Sequence, residues 1–63
     1  MTQKELSYVE DAVEHETNII KILEDTKNKL TDENLITFIT NAITTHSNLK
    51  EKLMNMLEAK ANG

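Results

Sequence analysis

Apolar residues recur at Leu6, Val9, Val13, Ile20, Leu23 and Leu30. Steps built from threes and fours mark one face of an α-helix. Just ahead of them, Thr2-Gln3-Lys4-Glu5 has the form of a capping box. In such a box the Thr hydroxyl accepts from the Glu backbone N–H while the Glu side chain reaches back to the Thr N–H. The rhythm stops after Leu30, where Thr31-Asp32-Glu33-Asn34 offers cap-forming side chains and acids suited to a helix N-terminus. A second series follows at Leu35, Ile39, Ala42, His46, Leu49, Leu53 and Met56. The pattern predicts one helical-hairpin domain over 1–63, with helices over about 3–29 and 32–60 and a short connection near Lys29–Thr31. A cluster of β-branched residues at Ile36–Thr40 offers a strand as the competing reading. The apolar steps there are three and four, not two, and favour helix.

A short connection makes the two helices antiparallel neighbours. Each helix, about 40 Å long at 1.5 Å per residue, carries a second apolar stripe. These stripes are Tyr8, Ala12, Ile19 and Ile22 on the first helix, and Ile36, Phe38, Ile43 and Leu57 on the second. A lone hairpin has no third layer to cover them. The expected fold is therefore all-α: an antiparallel two-helix hairpin, dimerising into a four-helix bundle.

Size and composition press the same way. A chain of 63 residues is one domain at most. Chains this short usually add disulfides, a metal or self-association to a marginal core. With no Cys, disulfides and thiolate zinc sites are excluded. With no Pro and one terminal Gly, there are no glycine-rich phosphate loops and no breaker inside either helix. No apolar run approaches the ~18 residues of a membrane span, and the Met-Thr-Gln-Lys start lacks a secretory core, so a cytoplasmic location is expected.

The formal charge of −4 belongs to residues 1–16, with five acids against one Lys, and the rest of the chain is balanced. All seven basic residues are Lys, and the aromatics number two. That is poor equipment for base or phosphate recognition, so no nucleic-acid partner is expected. From Asn34 to Leu49 there is no charge at all. The outer positions there read Thr37, Thr40, Asn41, Thr44, Ser47 and Asn48. Thr and Asn are mediocre helix formers, so propensity does not account for them. They form either a neutral solvated face or a contact surface for another subunit or partner, where charge would carry a desolvation cost.

Two polar residues interrupt the apolar rows: Glu16 between Val13 and Ile20, and His46 between Ala42 and Leu49. In a hairpin turning near residue 31, positions whose numbers add to about 62 lie level, and these two do. Three readings stay open. They form a structural Glu–His pair that sets register. Or they are metal ligands for iron, manganese or zinc, supplied by both chains of a dimer. Or both reach solvent. The metal reading lacks the Glu-x-x-His signature of di-iron bundles, since Ile43 and Ala12 stand three residues before the two histidines. His15 lies on the edge of the first apolar arc, and Met54 and Met56 read as core filler. No nucleophile sits in a pattern with a base and an orienting group, so no enzyme is expected.

The stretch from Glu5 to Glu16 resembles the opening of small clostridial spore-coat-like proteins, which are similar to the CotF-type coat proteins of spore-forming bacteria. Members carry a Tyr-Val-Glu-Asp-Ala-Leu run followed by Gly-His-Glu. Tyr8 to Asp11 and His15-Glu16 match, while Glu14 stands where they have Gly. Asp32-Glu33-Asn34-Leu35 is similar to their Asp-Pro-Glu-Leu helix start, and His46 falls where they carry Lys-His, with Thr45 in place of Lys. The resemblance spans nearly the whole chain. It implies a ferritin-like hairpin or bundle, a role in sporulation or the spore coat, a spore-associated location and no catalysis. The leading expectation is a non-enzymatic assembly protein. The alternatives are a metal-binding bundle built on Glu16 and His46, and a small sporulation adaptor. For the adaptor, the Ser-Gln-Glu-Leu-Asp motif of the sporulation phosphatases has no counterpart here.

Overall fold

A computed structural model describes the backbone of residues 1–62 and the side chains of residues 1–59. Two helices, α1 (Gln3–Lys27, 25 residues) and α2 (Glu33–Asn62, 30 residues), account for nearly all of it. No strand occurs among the described residues. The β-branched cluster at Ile36–Thr40 is helical, and its isoleucines, Ile36 and Ile39, fall three apart on the face turned toward α1.

The capping box at the start of α1 forms as the sequence requires. The Thr2 N–H donates to Glu5 Oε1 at 2.8 Å, and the Glu5 N–H donates to Thr2 Oγ1 at 3.0 Å. α1 ends at Lys27, two residues short of the expected boundary. The chain then tightens into three-residue turns, with the Lys29 N–H donating to the Thr26 carbonyl and the Leu30 N–H to the Lys27 carbonyl. Asn28 stays in the right-handed region (φ −66°, ψ −17°), and no described residue has positive φ. The reversal therefore needs no glycine. Asp32 starts α2: its Oδ1 accepts from the Leu35 N–H at 2.9 Å and its carbonyl from the Ile36 N–H at 3.0 Å.

The hairpin is a rod of 46 × 14 × 12 Å, and its length is that of α2 at 1.5 Å per residue. Its radius of gyration is 14.5 Å, against about 10.6 Å for a compact domain of this length. The inner row of α1 is the expected one: Leu6, Val9, Val13, Glu16, Ile20 and Leu23, continued by Lys27 and Leu30. The inner row of α2 differs from expectation. It runs Ile36, Ile39, Ile43, His46, Lys50, Leu53 and Leu57, all half-buried. Leu35, Leu49 and Met56 from the expected series are about half exposed. Ile36, Ile43 and Leu57, expected beside the row, are in it. The packed face is thus turned about 50° from the one read off apolar letters, at 100° per residue. The cause is Lys50. Lys50 is half-buried at an inner position, which a lysine tolerates by packing its aliphatic stem while its ammonium stays in water, so a charged letter hides an inward-facing residue.

Both inner rows keep a strict alternation of three and four, a heptad repeat of the kind that seats side chains in a helix–helix seam. The outermost row of α2 shares the period, with Asn34, Asn41, Asn48 and Asn55 all seven apart. No apolar side chain among the described residues is fully buried. Two helices alone present a seam, not a core.

Candidate functional site

The one buried residue among those described is polar. Glu16, 6% exposed, lies at mid-height on the inner face of α1, level with His46 on α2. Its Oε1 is 2.6 Å from His46 Nδ1. With Glu16 as a carboxylate, which only accepts, the imidazole donates from Nδ1. His46 is more open, with a third of its side chain reachable by solvent. The site is positioned by two ordinary features: the seven-residue period that keeps positions 16 and 46 on inward faces, and the length of the turn that sets them level. No buried side-chain nitrogen or oxygen among the described residues lacks a partner.

As a metal site the pair offers two ligands per chain. No cluster of three His, Cys, Asp or Glu side chains occurs among the described residues, so a complete set would have to draw on a second chain. Oε1 and Nδ1 already bond each other at 2.6 Å, closer than the roughly 3 Å that separates neighbouring ligands of an ion held at about 2.0–2.2 Å. Binding would require the pair to open. His15 is exposed on the flank of α1 and does not join them.

The second feature is the flank of the hairpin on which His46 opens. In an antiparallel heptad pair, reversing one helix brings like flanks to the same side. One flank then collects Tyr8, Ala12, Ile19 and Ile22 of α1 with Leu35, Phe38, Ala42, Leu49 and Met56 of α2. Six of these are large and exposed: Tyr8 61%, Ile22 63%, Leu35 51%, Phe38 69%, Leu49 45% and Met56 51%. At roughly 200 Å² for a fully exposed large side chain, they present about 680 Å². The largest apolar patch of an ordinary monomer is ~300–600 Å². The opposite flank carries Glu10, Glu14, Lys21, Glu24, Glu51 and Glu58. The sequence pattern puts Tyr8, Ala12, Ile19, Ile22 and Phe38 in second stripes but Leu35, Ala42, Leu49 and Met56 in the packed row of α2, and the rotation of α2 moves those four onto the flank. The row of asparagines, which fixes the outward direction of α2, is the signal that would have joined them.

The uncharged segment Asn34 to Leu49 divides between these surfaces. Leu35, Phe38, Ala42 and Leu49 belong to the apolar flank. Thr40 and Ser47, expected outside, are half-buried at the edge of the seam on the other side. Thr40 Oγ1 donates to the Ile36 carbonyl at 2.7 Å and Thr44 Oγ1 to the Thr40 carbonyl at 3.2 Å. With these hydroxyls turned back to the backbone, the segment is less polar than its letters.

No helix among the described residues is long and apolar enough to cross a membrane. Comparison with protein-family models, with curated proteins and with solved structures gave no match.

Proposed function

We propose that this chain is a non-enzymatic structural protein whose work is assembly, and that its working unit is a homodimer in which two hairpins pair as a four-helix bundle. The observation that carries the reading is the surface left over. The hairpin exposes 4,980 Å². A globular monomer of 7.2 kDa is expected to expose about 4,100 Å². The excess, roughly 850 Å², is close to the ~800 Å² that each partner buries in a standard stable interface. The absence of any fully buried apolar side chain among the described residues points the same way. With no disulfide to compensate, a second layer of helices is the economical source of a core. The resemblance of Tyr8 to Asp11 and of His15-Glu16 to spore-coat-like proteins directs this assembly role to the coat of a spore, with each hairpin as half of a ferritin-like unit.

Sedimentation equilibrium at micromolar concentration tests the dimer. A mass of twice the chain is expected, and a folded monomer would reject the reading. Immunogold labelling of sporulating cells tests the location: label concentrated at the coat is expected, and label confined to the mother-cell cytosol would detach the protein from the coat.

A further inference from the structure

We infer that the second copy docks on the flank formed by Tyr8, Ile22, Leu35, Phe38, Leu49 and Met56, and that this contact completes the burial of the Glu16–His46 pair. The inference rests on the self-association reading above and specifies where the copies meet. Three observations choose the flank. The first is charge. Between Ala12 and Thr26 of α1, and between Leu35 and Leu49 of α2, this side carries no Asp, Glu, Lys or Arg, and its charged residues, Glu5, Lys29 and Lys52, stand toward the two ends. The opposite flank carries five Glu and a Lys along its length. A two-fold contact sets a surface against itself, so a flank of mostly like charges repels its own copy while an apolar flank complements it.

The second observation is area. The ~680 Å² that the six exposed side chains present supplies most of the roughly 850 Å² by which the hairpin exceeds a compact monomer. No other apolar surface of that size is needed, and Met54 is the one large exposed apolar residue of the opposite flank.

The third is the state of the polar pair. A groove of about 400 Å³ lined by Phe38, Asn41, Ala42, Thr45 and His46 opens on the apolar flank. It leaves His46 a third exposed although its partner Glu16 is buried. An apolar side chain of the second copy seated in this groove would cover the imidazole. The Glu16–His46 bond would then lie at the centre of four helices instead of at the edge of two. A polar pair fixes register most effectively where no water competes for it.

The unmodified protein provides the test. A sample mixed from isotope-labelled and unlabelled chains gives isotope-filtered nuclear Overhauser contacts between chains only. Contacts from the Ile22 and Leu49 methyls and the Phe38 ring are expected. Contacts arising instead from Thr37, Thr44 and Met54 on the other flank would overturn the assignment and leave self-association standing, whereas a monomer would remove both. Phe38→Asp is expected to weaken the dimer at least thirtyfold, the effect of losing an interface aromatic anchor. Thr44→Lys on the other flank should change it less than threefold, and the reverse order of effects would reject the flank. A soluble paramagnetic probe should broaden the His46 ring signals of the Phe38→Asp monomer several times more than those of the dimer. Equal broadening would show that the second copy leaves His46 uncovered.

Discussion

Replacing Glu16 by Ala removes the most buried side chain among the described residues. The carboxylate accepts the His46 proton at 2.6 Å and is 6% exposed. A hydrogen bond involving a charged group contributes about 1.5–3 kcal/mol. The lost side-chain methylene adds about 0.8 kcal/mol. The expected cost of Glu16→Ala is therefore about 2–4 kcal/mol. For a chain of this size 1 kcal/mol moves the melting temperature by about 4–8 °C, so a fall of at least ~8 °C is expected. The assay is thermal unfolding followed by circular dichroism at 222 nm. Chain concentration is held fixed because an associating protein melts higher when concentrated. The double replacement Glu16→Leu with His46→Leu behaves differently. It removes both polar partners and fills the space with apolar atoms, which at buried ion pairs is neutral or stabilising by about 1–4 kcal/mol. The double variant should melt at or above the parent. If the pair sets register, the same variant should show broadened or doubled amide resonances as several alignments become accessible. A Glu16→Ala shift under ~3 °C would refute the argument, and so would a double variant as unstable as the single one.

The remaining predictions concern the helix ends and the metal alternative. Thr2→Ala removes the α1 cap and should cost about 1 kcal/mol, read as a melting shift of a few degrees. The Thr2 backbone N–H, and after it the Thr2 hydroxyl, holds the Glu5 carboxyl below the usual carboxylate range. Because that value is lowered on folding, the contribution is fully present above the ordinary carboxylate range and is lost as pH falls through the lowered value. The stability difference between the parent and Glu5→Ala should accordingly shrink toward strongly acidic pH and be constant near neutrality. Asp32→Ala removes the acceptor for the Leu35 N–H and should cost about 1 kcal/mol, with faster amide exchange in the first turn of α2. Elemental analysis of purified protein is expected to find less than one iron, manganese or zinc per dimer. Stoichiometric metal that disappears in Glu16→Ala would make the pair a ligand set and overturn the structural reading.

Much of this protein is legible in its sequence because its determinants are local. Thr2 and Glu5 are three residues apart and form their box from one turn of chain. Asp32 caps α2 in the same way, and the row from Leu6 to Leu30 marks its own inward face. The levelling of Glu16 with His46 follows from the position of the turn and the constant rise of a helix, so it too can be counted out in advance. The rotation of α2 is different. Apolar letters favour Leu35, Leu49 and Met56, yet the packed row is Ile36, Ile43, Lys50 and Leu57. A lysine can lie in a seam through its stem, and only packing against α1 reveals that it does. The gathering of Tyr8, Ile22 and the α1 stripe with Phe38 and the displaced Leu35, Leu49 and Met56 into one apolar flank is likewise a tertiary fact. It depends on the helices being antiparallel and on which side of each seam the stripe falls, and no stretch of a single helix carries that information.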